Sequence, residues 1–541
     1  MLDKHSIQRR RVEQSSQSHD DRGPGRWKPI LFFISVVLLG ALTVMISTSS
    51  GIGLWYDTYS YFSGSANLTA GDGFSRTIAG GSHVPITHFP PLYSVLLSVF
   101  RRVGINLFSA ARMINILSAG CTSFLIGYLV YRSTQRIPLS FITVSIVVFS
   151  ETFLSTHVWA LTEPLFFLIM LAGLCLIPIK RDTSSFEWWS VIASGFFFGL
   201  LPLSRYLGIS IAGAAVLFMA ILSLRRGRTA RIQAAVFTML AVLPIGVWFL
   251  RNIILTGNPA DAPPLAWHPP DTDAWLLGSH TFLGYFLPDF LRERLSDQVT
   301  LCFSSVGIAV IVFLLGYATW QGFRGLLDKK KSTTIRAFLP LVMIAYCAQL
   351  LFSVFFVVRI TPFDLRILSP LFILLVLQLI LQIECFVRPY RVPAMIFTIS
   401  LILFLAFEGL RANNLIRGYA ADPPGFASQV WQSSPTLAYI RHFYEEPIYT
   451  NEVEGVYLLT GRTAYFIPTP YNPAADVTRQ DYQDWLFSMR ESLEEEDGRL
   501  VLFLQTEEKA ASIENMEDLI TGLVVEAEFS DGMIYRFPTM P

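Results

Sequence analysis

The sequence predicts an all-α membrane protein with about eleven transmembrane helices, followed by a small α/β domain outside the membrane. The 541 residues are 52% hydrophobic and only 15% charged, whereas soluble domains carry about 25% charged residues. Apolar runs long enough to cross the hydrocarbon core, which takes roughly 20 residues, recur as far as residue 410. Beyond that residue no such run occurs, and short strand-like segments take over.

The apolar runs define a membrane domain over residues 28–410. It follows a polar, basic stretch, residues 1–27, which is expected to be a disordered cytoplasmic tail. The first run lacks a small-residue cleavage pattern, so it is interpreted as a retained anchor. The predicted spans are 29–49, 109–131, 138–157, 161–179, 187–204, 206–224, 231–250, 300–320, 337–358, 367–387 and 392–410.

Basic residues predict the orientation, because cytoplasmic loops are enriched in Lys and Arg. Segment 90–104 is apolar but short, and a crossing there would invert the charge pattern, so we expect it on the outer surface. Long outer loops then cover 50–108 and 251–299. With the N-terminus in the cytoplasm, the cytoplasmic loops hold Arg132, Arg136, Lys180, Arg181, Arg225, Arg226, Arg228, Arg231, Arg324, Lys329, Lys330, Lys331, Arg336, Arg388 and Arg391.

Residues 411–541 differ in composition from the membrane domain. They contain most of the acidic clusters and none of the five cysteines, so no disulfide framework is expected there. Segments 447–450, 499–504 and 524–529 are strand-like, and a Ser-Asp-Gly turn leads from the last of them into 534–537. The sequence therefore predicts a soluble α/β domain on the extracytoplasmic side.

Polar side chains near the span ends gather on the outer side, which favours a site at that face. Asp57 follows the first span within an aromatic-rich segment. Its carboxylate suits a general base that accepts a proton from a hydroxyl. The alternative is a helix-end carboxylate exposed to water. A charge at the lip of a span is costly unless it has a role, so the functional interpretation is favoured.

Two further groups of residues leave alternatives open. Glu163 begins a span and precedes a proline, so it suits the helix dipole alone or positions a metal or substrate hydroxyl. Arg205, Arg359 and Arg366 lie between apolar runs. Their planar guanidinium groups match a lipid phosphate. They equally suit interfacial snorkelling or a pair with Asp364.

Metal and nucleotide chemistry have little support. His88 and His268 are candidate metal ligands beside a carboxylate, although lone histidines more often form ordinary hydrogen bonds. The chain has no phosphate-binding loop, dinucleotide fingerprint or zinc spacing. Lys+Arg and Asp+Glu balance at 41 each, so charge gives no reason to expect nucleic acid.

Several segments together resemble the GT-C class of integral membrane glycosyltransferases. The similarity is closest to bacterial relatives of protein mannosyltransferases and of the aminoarabinose transferase. It covers nearly the whole chain after residue 28, and its order and spacing are more specific than any single motif. The matching segments are Tyr56-Asp57 with Tyr61, 89–93, 111–115, 162–164, 204–206, 251–252 with 256–259, 366–370, 450–452 and 458–462.

The resemblance implies a GT-C-like fold and sugar transfer, usually inverting, at the extracytoplasmic face of the bacterial cytoplasmic membrane. It implies a polyprenyl-phosphate-linked donor, a lipid, glycan or protein acceptor, and contacts with membrane lipids. Asp57 occupies the place of the family's first-loop catalytic aspartate. Many members have an acidic pair there, whereas Thr58 follows Asp57 here, which argues against a two-carboxylate metal site. A divalent metal stays a possibility, and no cofactor is certain.

The residues are assigned expected roles on this basis. Asp57 is expected to be the catalytic base. Arg366, Arg205 and Arg359 are expected to bind the donor phosphate, and Glu163, His88 and Tyr61 to position the substrate. The alternative function is a lipid or polysaccharide transporter without glycosyl transfer, which should show inverted repeats and broken helices at the midplane. The sequence shows no such repeat.

Overall fold

Helices form most of the chain in the computed structural model. It describes residues 27–178, 185–224, 226–262, 264–287, 289–292, 294–327, 334–357, 363–443, 446–472, 477–505, 513 and 515–538. The helices before residue 422 are α1 (Trp27–Ser47), α2 (Tyr56–Ala70), α3 (Leu92–Arg102), α4 (Leu107–Thr134), α5 (Ile137–Phe149), α6 (Glu151–His157), α7 (Glu163–Leu176), α8 (Trp188–Ser204), α9 (Gly208–Leu224), α10 (Arg228–Thr256), α11 (Thr272–Gly284), α12 (Asp289–Arg292), α13 (Asp297–Leu327), α14 (Thr334–Phe356), α15 (Leu365–Val387) and α16 (Arg391–Ala421).

In the described residues every predicted span overlaps a helix, but the number of crossings is not confirmed at eleven. In the described residues seven helices are long and apolar enough to cross a membrane: α1, α4, α10, α13, α14, α15 and α16. The pair α5 and α6, bent by 58°, makes an eighth if it is one span. Helices α7, α8 and α9 are apolar but shorter. With its 14 residues, α7 covers only about 21 Å of a core roughly 30 Å thick.

Local signals place the ends of the helices that matter for the site. The side chain of Asp364 accepts a hydrogen bond from the backbone N–H of Ile367 at 2.9 Å, so α15 starts with an N-cap. Helix α7 has a proline in its first turn. Gly71 ends α2 in the left-handed conformation, at φ 102°. The short helix expected over 90–104 is present as α3, directly before α4.

The strand-like segment before α2 is held by backbone hydrogen bonds on two sides. The N–H of Gly53 donates to Val158 O at 2.7 Å, and the N–H of Ala160 donates back to Gly53 O at 2.9 Å. On the other side the N–H of Leu54 donates to Pro424 O at 3.2 Å. The start of α2 is therefore fixed between the α6–α7 connection and the segment that follows α16.

A five-stranded sheet follows the bundle, and it contains all the predicted strand segments. Its order is β4-β3-β7-β9-β8, with β3 parallel to β4 and β7 and with β9 antiparallel to both its neighbours. Its strands are β3 (Ile448–Thr450), β4 (Tyr465–Phe466), β7 (Arg499–Phe503), β8 (Val524–Phe529) and β9 (Gly532–Arg536). Two small hairpins pair β1 (Ser75–Thr77) with β2 (His83–Pro85) and β5 (Tyr471–Asn472) with β6 (Val477–Thr478), and helices α17 (Gln429–Gln432), α18 (Pro435–Ile440), α19 (Val453–Thr460), α20 (Tyr482–Glu495) and α21 (Met516–Ile520) complete this region.

The central strand β7 links the sheet to the bundle by its alternation. Val501 and Phe503 belong to the large buried cluster that continues into the helical bundle. Leu500 and Leu502 point to the other face and pack with Met489 of α20. Because successive strand residues face opposite sides, one sheet face joins the bundle core and the other has its own core.

Candidate active site

Three helix starts meet at the guanidinium of Arg366. Its Nη2 donates to Oδ2 of Asp57 at 2.9 Å, and its Nε donates to Oε1 of Glu163 at 2.8 Å. Asp57 lies in the first turn of α2, Glu163 is the first residue of α7, and Arg366 lies in the first turn of α15. One rigid guanidinium therefore bridges two carboxylates from distant parts of the chain.

Arg205 completes this cluster from the end of α8. Its Nη1 forms an ion pair with Oε1 of Glu163 and lies 3.4 Å from the hydroxyl of Thr162. Glu163 is almost fully buried, with 1% of its surface exposed, and a buried carboxylate is tolerated where such partners compensate its desolvation. The four side chains carry two negative and two positive charges, so the cluster is formally neutral.

Asp57 and Arg366 are the accessible part of the cluster. Their side chains are 27% and 24% exposed, compared with 14% for Arg205 and 2% for Glu163. The buried pair of Glu163 and Arg205 thus helps to hold the more accessible pair of Asp57 and Arg366, because Glu163 also binds Arg366. This arrangement holds the Asp57 carboxylate in one orientation while leaving it open to a reactant.

Tyr61 lies one turn along α2 from Asp57 and is buried. Its ring makes edge-on contacts with Phe89 at 5.2 Å and Tyr93 at 5.3 Å. Burial raises the pKa of Tyr61 far above its ordinary value, and the charges of Asp57 and Glu163 raise it further. Its hydroxyl is therefore neutral and available as a hydrogen-bond donor.

The structure places the other predicted residues as follows. His88 is exposed, and its ring packs edge-on against neighbouring Phe89; the structure does not bring it into the cluster. His268 is engaged in a local hydrogen bond to Ala266 O at 2.9 Å. Asp364 caps α15 while Arg366 pairs elsewhere. Arg359 lies outside the described residues.

A cavity of about 510 Å³ opens beside Arg366. Its walls come from α6, α11 and the start of α15, and include His280, Arg292 and Asp364. The two carboxylates accept hydrogen bonds from Nε and Nη2 of Arg366. Among the described residues, Nη1 of Arg366 has no hydrogen-bond partner. The arginine can thus hold both carboxylates and still offer an N–H group to an anion in the cavity.

Sequence reasoning missed several residues of this region. His280 and Arg292 come from 251–299, the second predicted outer loop, whose length, prolines and aromatic residues did not single out these two side chains. Glu151 and Arg411 form an ion pair between α6 and α16 on the same side of the molecule. Glu452 and Glu454 approach α2 from the C-terminal region, where the hydroxyl of Tyr56 lies 3.5 Å from Oε2 of Glu452.

The residues do not form a ready metal site within the described parts of the chain. In these parts no group of three or more His, Cys, Asp or Glu side chains is arranged to hold a metal ion. Asp57 and Glu163 are two carboxylates that could contribute to a metal site, but both form ion pairs with Arg366. A divalent ion would have to compete with that guanidinium.

Comparison with solved structures identifies the fold. The chain is similar to ArnT from Cupriavidus metallidurans bound to undecaprenyl phosphate, with a TM-score of 0.54 at 11% identity over 94% of this chain and 98% of that one. The apo form of that ArnT superposes with the same TM-score. The archaeal oligosaccharyltransferase AglB from Archaeoglobus fulgidus, in complex with an inhibitory peptide and a dolichol-phosphate, gives 0.51 at 12% identity over 89% of this chain and 70% of its own.

These similarities confirm the expected architecture: a multi-pass, GT-C-like membrane protein with a small C-terminal α/β region. No protein-family model matches the chain, and no curated protein matches it by sequence. At 11–12% identity the likeness is one of fold. The chemistry of this chain has to be argued from its own residues.

Proposed function

We propose that the protein transfers a sugar from a polyprenyl-phosphate-linked donor to an acceptor hydroxyl, with Asp57 as general base. The observation that carries the proposal is the ion pair of Asp57 with Arg366, an arginine that lines a cavity. A proton acceptor and an anion-binding group lie next to each other there, as transfer from a phosphate-linked sugar requires. The solved structures of similar fold contain undecaprenyl phosphate and dolichol-phosphate, which supports a lipid-phosphate donor.

The proposed reaction is a single displacement. The acceptor oxygen attacks the anomeric carbon of the donor sugar, and the bond from that carbon to the phosphate oxygen breaks. The acceptor proton passes to Asp57, and the polyprenyl phosphate leaves with the bonding electrons. Attack opposite the leaving group inverts the anomeric centre. General-base catalysis contributes about 10²–10⁴-fold to such a step.

Arg366 is suited to the leaving group. Developing negative charge on the phosphate is stabilised by donors that are already in position. Nε and Nη2 of Arg366 are held by Glu163 and Asp57, so Nη1 is the nitrogen left to donate a hydrogen bond to the phosphate. Arg292 and His280 line the same cavity and are proposed as further phosphate contacts. Arg205 acts through Glu163, as a positioning residue.

The orientation in the membrane remains part of the proposal. We place the site at the extracytoplasmic face of a bacterial cytoplasmic membrane, with the N-terminus in the cytoplasm and residues 411–541 outside. The ion pair of Arg136 with Glu384, at 3.1 Å, supports it. Helix α15 has 23 residues, about 34 Å. Glu384 therefore lies near the end of α15 opposite Arg366. The loop residue Arg136 pairs with it there, and such basic residues are typical of cytoplasmic loops.

A turnover assay tests the proposal and separates it from the transporter alternative. Purified full-length protein in liposomes receives a radiolabelled sugar linked to undecaprenyl phosphate, together with a membrane extract that supplies acceptors. We expect release of undecaprenyl phosphate and transfer of the label to an acceptor. Translocation of the intact lipid-linked sugar without release would instead support the transporter. If neither release nor translocation is observed, the proposed transfer reaction is contradicted.

A further inference from the structure

The geometry points to a second binding site, between Tyr56 and the C-terminal sheet, that takes an uncharged sugar ring of a glycan acceptor. This inference rests on the proposed function and adds the acceptor class to it. The site is a cavity of about 530 Å³. Its lining includes Tyr56, Glu452, Phe466, Thr469, Arg479 and Trp485.

Three aromatic side chains form apolar walls in this cavity. Phe466 and Tyr56 are exposed to 46% and 41%, although both lie in folded, well-packed elements. Trp485 lies on α20 and carries the guanidinium of Arg479 over its ring, at 5.3 Å. The C–H faces of a sugar ring pack on such flat surfaces, and aromatic walls with a few polar groups are typical of ligand sites.

The polar groups of the cavity suit hydroxyl groups. Glu452 is only 4% exposed, yet it lines the cavity and lies 3.5 Å from the hydroxyl of Tyr56. Among the described residues, the side chain of Arg479 has no hydrogen-bond partner, and its Nε is buried. A buried donor without a partner is costly. Acceptor, donor and hydroxyl groups around one cavity match a polyhydroxylated ring.

Other ligand classes fit this cavity less well. An acyl chain would have to cover the carboxylate of Glu452 and the guanidinium of Arg479, which desolvation opposes. A peptide that docks by strand addition needs an edge, and β4 offers only Tyr465 and Phe466. An anionic sugar would meet Glu452 and nearby Glu454. The observations therefore favour a neutral ring.

The position of the cavity connects it to the proposed chemistry. Tyr56 lines this cavity, while its neighbour Asp57 pairs with Arg366 beside the other cavity. The start of α2 therefore contacts one cavity directly through Tyr56 and is linked to the other through Arg366, the partner of Asp57. A glycan bound by one ring against Tyr56 would extend past the start of α2 to bring a hydroxyl group to Asp57. That hydroxyl oxygen would form the new bond to the donor sugar and give its proton to Asp57.

Sugar binding to the full-length protein tests this inference without any donor. The protein is held in a detergent that has no sugar headgroup, and glucose, galactose, mannose and N-acetylglucosamine are titrated as methyl glycosides, with isothermal titration calorimetry as the readout. We expect saturable binding of at least one glycoside. Trp485→Ala should weaken that binding by about tenfold, as for the loss of a central aromatic contact.

Matched variants keep the result interpretable. Phe487→Ala removes an exposed ring from the same helix, two positions away and outside the cavity lining, and should bind the glycoside like the wild type. Trp485→Phe keeps an aromatic wall and should retain most of the affinity, which excludes misfolding as the cause of a loss in Trp485→Ala.

The inference is overturned if no glycoside binds saturably, or if Trp485→Ala and Phe487→Ala bind equally well. It is also overturned if a Ser- and Thr-containing peptide displaces the bound glycoside with higher affinity, since the cavity would then serve a peptide. Failure of the proposed function is a separate result, because it would appear as absent donor turnover while glycoside binding persists.

Discussion

Arg366 and Asp57 lie 309 positions apart in the sequence, yet Nη2 of the arginine donates to Oδ2 of the aspartate at 2.9 Å. The same guanidinium reaches Glu163 through Nε. The accessible pair is therefore fixed by three helix starts that no local stretch of sequence brings together. Any change in the relative positions of α2, α7 and α15 would alter the geometry of the Asp57 carboxylate, the proposed base.

Replacing Arg366 by lysine should impair donor binding although the positive charge is kept. A lysine ammonium has no planar fork and cannot bridge two carboxylates while it offers a further donor to a phosphate. We expect the donor KM to rise by about tenfold to hundredfold, the usual worth of a charge-assisted hydrogen bond. Steady-state kinetics with a lipid-linked sugar measures this.

Arg388→Ala is the matched control, since Arg388 is exposed just beyond the opposite end of α15. It should leave the donor KM within about twofold of the wild type, as expected for a surface position. Equal donor KM values for Arg366→Lys and Arg388→Ala would remove Arg366 from the phosphate site.

Replacing Glu163 by glutamine should destabilise the membrane domain. Arg205 and Arg366 would lose the carboxylate they share, and Arg205 would remain largely buried without a counter-charge. Loss of one partner from a buried ion pair costs about 3–5 kcal/mol. Thermal unfolding in detergent should show a lower midpoint.

The double variant Glu163→Gln with Arg205→Met tests the same pair. It removes the orphaned charge, so its unfolding midpoint should lie above the value expected from adding the two single effects. Additive effects would show that the two side chains are not energetically coupled.

Gly425 should tolerate no side chain. It adopts φ +71°, and a Cβ there would clash with the carbonyl oxygen of Leu54 and lie 2.6 Å from the ring of Trp159. Gly425→Ala would push the post-α16 segment away from the segment that holds α2. We expect a loss of about 2 kcal/mol or more in unfolding free energy, together with lower transfer activity.

Gly418→Ala provides the comparison in thermal unfolding. Gly418 lies within α16, and a Cβ there has no neighbour within 4 Å. That substitution should be neutral or stabilising by up to about 1 kcal/mol, since alanine is the better helix former. If both variants unfold like the wild type, the close approach of Gly425 to Leu54 is not present in solution.

Glu454 gives a prediction for pH. Burial raises its pKa, and the charge of Glu452 raises it further. The folded state then holds this proton more tightly than the unfolded chain, where a Glu titrates near about 4.3. Glu454 therefore lowers stability progressively as pH rises from that value through its raised folded pKa, and the loss persists above it.

Glu454→Gln removes this titration. The variant should gain stability relative to the wild type as pH rises above about 4, and the difference should become constant once the pH exceeds the raised folded pKa of Glu454. Thermal unfolding at several pH values measures it. A difference between the two proteins that is the same at every pH would show that Glu454 titrates as in the unfolded chain.

The sequence was sufficient for the architecture because long apolar runs and alternating strands are strong local signals. The helices α1 and α15 and the strands β7 and β8 lie close to their predicted ranges. The number of crossings was harder, since α7, α8 and α9 are apolar throughout yet shorter than a full span. Hydropathy shows that a helix is buried in apolar surroundings and does not show how deep it reaches.

The residues of the candidate site were singled out from the sequence, but the ion pairs and hydrogen bonds between them were not predicted. Asp57, Glu163, Arg205 and Arg366 were each singled out near a span end, but nothing in the sequence tells that Arg366 pairs with Asp57 and not with Asp364, two positions away. Asp364 is used by the backbone of α15 instead. Glu452 lies in the resembling segment 450–452, but neither its role nor that of Trp485 could be predicted, because both depend on how the C-terminal region packs on α2.

The most direct test of the central claim is the rate of sugar transfer by Asp57→Asn, measured with a lipid-linked donor under saturating conditions. Asparagine keeps the size of the side chain but cannot accept the proton. We expect kcat to fall by about 10²–10⁴-fold with the bundle still folded, whereas Asp72→Asn, just after the end of α2, should retain full activity. Wild-type kcat in Asp57→Asn would contradict the assignment of the catalytic base.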